Sequence, residues 1–140
     1  MIVKCVSNTC STLPPDFLSA DYGITTDTRY DITLEKKYLV LAITTLLHYN
    51  FFYILEDTND DCPTLVPSLL FEIVDGRLSK HWQYQQMLTG ELLQDFYYML
   101  SFPDWNDGGM FLENLIDGLE PQVTQFKQQL ALLQDEFTVE

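Results

Sequence analysis

Three cysteines (Cys5, Cys10, Cys62), two histidines (His48, His81) and 21 Asp+Glu side chains are the groups in this 140-residue sequence to weigh first for metal, nucleophilic or acid–base chemistry. Their spacing supports none of these. Cys5 and Cys10 have no CxxC, HxxxH or mixed Cys/His partner at a spacing that closes a tetrahedral site. Asp57, Asn59 and Asp61 repeat at the interval of a calcium loop, but Cys62 stands where such a loop turns on glycine. Ser68 occupies the place of the bidentate glutamate, and Pro63 and Pro67 interrupt the pattern. There is no GxSxG elbow and no glycine-rich phosphate loop. His48 and His81 lie beside aromatic strand positions, where imidazole is usually packed or at the surface. Paired carboxylates are expected by chance in a chain this acidic, so glycosidase-type chemistry gains no specific support. The sequence therefore predicts no catalytic, metal or cofactor site.

Charge is the stronger signal. Seven Lys+Arg oppose 21 Asp+Glu, a formal charge of −14. Such a field repels phosphate backbones and anionic membrane surfaces, which excludes direct nucleic-acid or membrane binding, and it attracts a basic protein. The charge is also uneven. Residues 1–88 carry 11 acids against 6 bases, a net of −5, whereas residues 89–140 carry 10 acids against the single base Lys127, a net of −9.

The length suits one domain, 1–140, and the 46% hydrophobic content is enough for a buried core. Residues 2–6 alternate as a first strand, and residues 7–31, with Pro14, Pro15 and Gly23, read as a long connection with a short helical turn near 16–19. Residues 38–43 and 49–55 read as central antiparallel strands joined around His48. Residues 56–63 form an acidic loop. A strand over 69–74, an Asp75-Gly76 type I′ turn and a returning strand over 78–84 complete the mainly β part, residues 1–88.

Beyond Met87 the period becomes helical. Leu92, Leu93, Phe96, Met99 and Leu100 predict one helix capped by Thr89 and ended by Pro103. Phe111, Leu112, Leu115, Ile116 and Leu119 predict a second, stopped at Gly118. Pro121 opens a third, whose stripe is Val123, Phe126, Leu130, Leu133 and Phe137. Strands followed by helices imply the α+β class, as a small antiparallel sheet or SH3-like barrel with a C-terminal helical cap over 89–140.

No basic region followed by an apolar stretch opens the chain, and no apolar run is long enough to span a bilayer. With an odd cysteine count, the expectation is a cytoplasmic protein with reduced thiols. What remains for function is surface. Glu56, Asp57, Asp60 and Asp61 form one acidic cluster. Asp104, Asp107, Glu113, Asp117 and Glu120 form another, with Trp105 set between acids as an aromatic anchor. Tyr97 and Tyr98 are weaker contact candidates. Alternatively, Tyr49, Tyr53, Trp82 and Tyr84 line an aromatic groove for a peptide, the mark of an adaptor module.

Residues 32–43 (Ile-Thr-Leu-Glu-Lys-Lys-Tyr-Leu-Val-Leu-Ala-Ile), 52–57 (Phe-Tyr-Ile-Leu-Glu-Asp) and 70–79 (Leu-Phe-Glu-Ile-Val-Asp-Gly-Arg-Leu-Ser) resemble a family of small bacterial proteins. Residues 2–8 (Ile-Val-Lys-Cys-Val-Ser-Asn) and 13–15 (Leu-Pro-Pro) agree with it. Many members look like immunity proteins of toxin–immunity systems, including contact-dependent inhibition. Over residues 1–84 the resemblance implies a non-catalytic protein that binds a cognate toxin domain and occludes its active site. Many such toxins hold a polyanion in a basic cleft, where carboxylates can stand in for phosphates through charge-assisted hydrogen bonds.

Overall fold

The computed structural model describes residues 1–46, 48–86, 98–105 and 110–138. Among these the chain runs through β1 (Ile2–Cys5), β2 (Lys37–Leu39), β3 (Ala42–Leu46), β4 (Tyr49–Ile54), β5 (Thr64–Pro67), β6 (Phe71–Asp75), β7 (Gln83–Gln86) and β8 (Tyr98–Ser101), then α1 (Met110–Ile116) and α2 (Glu120–Glu136). The class is α+β. Two open antiparallel sheets, ordered β2-β1-β6 and β5-β4-β3-β8-β7, replace the single sheet or closed barrel expected from the sequence.

The difference originates at residues 40 and 41. The apolar run 38–43 is not one strand. Val40 N–H donates to the Met1 carbonyl (3.0 Å), on the small sheet, while Leu41 N–H donates to the Tyr53 carbonyl (2.8 Å), on the large one. A strand buried on both faces can therefore serve two sheets in succession, turning the corner between them. The side chains divide in the same way: Val40 joins one hydrophobic cluster and Leu41 the other.

Those clusters cover the two faces of the large sheet. Along β3 and β4, Ile43 pairs with Phe52 and faces the first cluster, with Val3, Tyr38, Phe17 and Phe71. Ala42 pairs with Tyr53 and faces the second, with Met99, Trp105, Phe111, Phe126 and Leu133. The Ala42/Ile43 and Phe52/Tyr53 steps follow the period of two that a pleated strand imposes, whereas Phe51, next to Phe52, also packs in the first cluster, against Phe17. The β3–β4 connection does turn at His48, which takes a positive φ of 70°.

Residues 7–31 form a long connection with short 3-10 turns at Cys10–Thr12, Pro15–Phe17 and Ala20–Tyr22; the buried Phe17 ring secures it, tilted against Tyr49 and Phe51. The Tyr49 hydroxyl also donates to the Asp16 carboxylate.

Two further expectations are corrected, and one strand is added. Asp75-Gly76 makes no I′ hairpin, because Gly76 lacks the positive φ such a turn requires. Instead, Asp75 Oδ1 accepts from the Arg77 backbone N–H (3.1 Å), and the following strand, β7, pairs with β8 in the other sheet. Residues 64–67 form β5 despite its terminal Pro67, tolerable because β5 is an edge strand. Met99 and Leu100 belong to β8 rather than to a helix; the remainder of that expected helix, with Thr89, Leu92, Leu93 and Phe96, lies outside the described residues.

The expected stop of the second helix and the stripe of the third are present. Gly118 (φ 75°) ends α1, Pro121 stands in the first turn of α2, and Phe126, Leu133 and Phe137 are buried with Val123 and Leu130 half-buried. Glu136 fastens the end of α2, accepting from Ser79 Oγ (2.6 Å) and the Lys80 N–H (2.8 Å). Among the described residues no helix is long and apolar enough to cross a membrane.

Candidate protein-docking site

The acidic residues singled out from sequence separate into two kinds. Glu56 and Asp57 are structural. Glu56 accepts from the Asp31 N–H (2.6 Å) and Thr64 Oγ1 (2.8 Å). Asp57 receives Lys36 Nζ, Thr33 Oγ1 (2.7 Å) and the Tyr38 hydroxyl (2.9 Å). Burial pushes the Asp57 carboxyl upward, but the Lys36, Thr33 and Tyr38 hydrogen bonds outweigh it and hold the group below its ordinary value. The calcium-like spacing is spent in the same way, since Asn59 Oδ1 accepts from the N–H groups of Asp61 (3.1 Å) and Cys62 (3.3 Å). Among the described residues no cluster of His, Cys, Asp or Glu could hold a metal ion.

Trp105 corrects the sequence reading. It is 3% exposed, edge-on to Tyr53, stacked on Phe111 at 5.8 Å and tilted against Phe126. Its indole N–H donates to Gln129 Oε1 (2.7 Å), and Gln129 Nε2 donates onward to Asp104 Oδ2 (3.1 Å). An aromatic ring with one polar atom fits this position, because its face joins the sheet to the helices while its N–H is satisfied by a buried amide. Trp105 and Asp104 thus build the seam between β8 and α2, and Trp105 is no surface anchor.

The expected aromatic groove does not assemble either. Tyr49 packs against the first cluster, Tyr53 against the second, and Trp82 against both. Burial drives the Tyr53 hydroxyl up to about 12. Tyr84 is 68% exposed and stacks on Tyr98. Tyr98 lies on β8, with its hydroxyl donating to Asn50 Oδ1 (2.7 Å). His81 stacks on Phe102, a packing role.

The second kind of acid is free. Asp60, Asp61, Glu113, Asp117 and Glu120 are exposed, and among the described residues their carboxylates make no hydrogen bond or ion pair. Asp107 and Tyr97 lie outside the described residues. Folding brings part of the free set to one place. The 59–64 loop lies against the end of α1 and the first half of α2, leaving a groove of about 630 Å³. Asp60 and Asp61 are on its loop side, Leu115, Ile116 and Gly118 on the α1 side, and Val123, Phe126, Lys127 and Leu130 on α2. Asp117 sits between two of these lining residues, and Glu120 opens the next helix. The Cys62 thiol, pushed up by burial and by Asp61, points its Sγ at the Leu115 carbonyl (3.8 Å).

Two placements at or next to this lining in sequence are unfavourable for the isolated protein. Asp117 directly follows the C-terminus of α1, where the helix dipole favours a cation, and no base stands in that last turn. Ile116 is 68% exposed and Leu119 47% exposed, beside these carboxylates. The sequence pattern places both in the apolar set of the second helix; this seven-residue helix buries Phe111 and Leu115 and half-buries Leu112, while Ile116 is exposed and Leu119 lies beyond its end. Lys127 and the apolar lining were not anticipated as site residues, because nothing local distinguishes an outward apolar row from an inward one. No family model, curated protein or solved structure matches this chain.

Proposed function

We propose that this chain is a non-catalytic binding protein that captures a basic protein partner, acting as the immunity protein of a bacterial toxin domain. The observation that carries the reading is the division of carboxylates. Glu56 and Asp57 are consumed by internal bonds, while Asp60 and Asp61, a few residues on, line a groove without a partner among the described residues, with Asp117 and Glu120 next to its α1 and α2 lining in sequence and exposed Ile116 beside them. Unpaired like charges beside exposed Ile116 and Leu119 contribute nothing evident to folding. They complement a cationic surface, where charge accelerates encounter and apolar burial prolongs the complex. A toxin that grips nucleic acid presents such a surface, so capture would also block its cleft. The resemblance of residues 1–84 to immunity-like proteins points to the same partner class.

The test is co-expression with candidate basic toxin domains, beginning with any encoded by the adjacent coding sequence. The reading expects a stoichiometric complex on gel filtration and survival of cells that otherwise die. Toxicity unrelieved by this chain, with the two proteins eluting separately, would overturn it.

A further inference from the structure

Resting on that reading, we infer that the groove between the 59–64 loop and the α1–α2 pair receives a partner segment in which an apolar side chain neighbours a lysine or arginine. The apolar group would lie against Ile116, Val123 and Leu130, with the cation against Asp60 and Asp61.

Three features lead to this occupant. The lining is mixed: exposed Ile116 and half-buried Val123 and Leu130, backed by the buried Leu115 and Phe126, supply an apolar wall, while the loop side supplies adjacent aspartates. A purely cationic ligand would leave that wall in water, and a purely apolar one would strip water from carboxylates without replacing it, a costly exchange. Next, the carboxylates are available. Asp60 and Asp61 have no side-chain partner among the described residues, and Lys127, which lines the same groove, is not within ion-pair distance of either. Finally, Lys127 gives the occupant a direction. As the one cation in the lining, it repels the incoming base, so that base is expected on the aspartate side.

Lys127 therefore provides a test that a generic acidic surface would not. The full-length chain, isotopically labelled, is titrated with the peptide acetyl-Leu-Lys-Leu-Lys-Leu-amide, and with the same peptide carrying Glu for Lys. The expected result is millimolar binding of the lysine peptide, with shifts concentrated at residues 60–64, 115–118 and 123–130. Ile116→Asp, at a position already exposed, and the double variant D60N/D61N should each weaken it about tenfold, as loss of an interface anchor does. Lys127→Gln should instead tighten binding about twofold by removing the repelling charge.

No binding at millimolar peptide, shifts centred on the β sheets, equal binding of the glutamate peptide, or weaker binding by Lys127→Gln would each overturn the inference. The broader reading fails separately. If the toxin complex forms and survives Ile116→Asp and D60N/D61N unchanged, the groove assignment falls alone. If the peptide binds as described but the toxin is not neutralised, the groove stands and the immunity role falls.

Discussion

Asp57 and Asp117 are both aspartates in connections of the same acidic chain, and they do opposite things. Asp57 receives a lysine, a threonine and a tyrosine, tying the 33–38 segment to the loop after β4. Asp117 receives no side-chain bond among the described residues and sits at the helix end where a negative charge is least welcome. The contrast extends to the regions around them. In the β part, bases are few but placed: Lys4 lies 3.5 Å from both Glu35 and Glu72, Arg77 pairs with Asp75, and Lys36 with Asp57. In the helical part the single base, Lys127, makes no ion pair among the described residues. A chain that can neutralise carboxylates locally does so where loops need fastening and does not where the groove opens. Net charge alone, −14, conceals this division.

The largest perturbation falls on the seam joining the two regions. Trp105→Ala removes a buried ring that contacts Tyr53, Phe111 and Phe126 and leaves Gln129 without its donor; it should cost about 3–5 kcal/mol in urea unfolding. A loss below about 1 kcal/mol would show that the helices do not depend on this seam.

Next comes Asp57→Ala, expected to cost about 2 kcal/mol because three donors lose a charged acceptor. The acid limb should carry the same signature. The folded-state value of Asp57 lies below its ordinary 3.8, so its contribution is complete above that pH and disappears as pH falls through the lowered folded value. The unfolding midpoint of wild type should therefore drop more steeply below about pH 4 than that of Asp57→Asn. Parallel acid limbs would remove Asp57 from the account.

The smallest effect has the opposite sign. Asp117→Asn should stabilise the free protein by about 0.5 kcal/mol, relieving the charge at the end of α1. Destabilisation there would make Asp117 a structural residue like Asp57 and erase the contrast.

Much of the fold was legible in the sequence, and the exceptions share a cause. β1, the β3–β4 pair turning at His48, the stop at Gly118 and the stripe of α2 follow from local pattern and turn chemistry. The corner at Val40 and Leu41 does not, because a continuous apolar run is compatible with burial in one sheet or in two. Tyr98–Ser101 is too short for a helical and an alternating period to be told apart. Asp75-Gly76 carries hairpin residues, but the turn lost to the Asp75–Arg77 bonds and to pairing of β6 with β1. The candidate site was half legible. Acidity pointed to the loop and helices that border the groove, yet only tertiary structure separates Glu56 and Asp57, which face internal donors, from Asp60 and Asp61, which line the groove. Trp105 between acids looked like an anchor because sequence shows its neighbours and not the Gln129 amide waiting beneath it.

The most direct test of the central claim is the association rate with a basic toxin domain that this chain neutralises on co-expression, measured by stopped flow across ionic strength for wild type and for the variant D60N/D61N/D117N/E120Q. The account predicts a wild-type rate that falls steeply as salt screens the field, and a variant rate that is slower at low salt and nearly flat. A wild-type rate indifferent to salt, or a variant that retains both the speed and the slope, would contradict it.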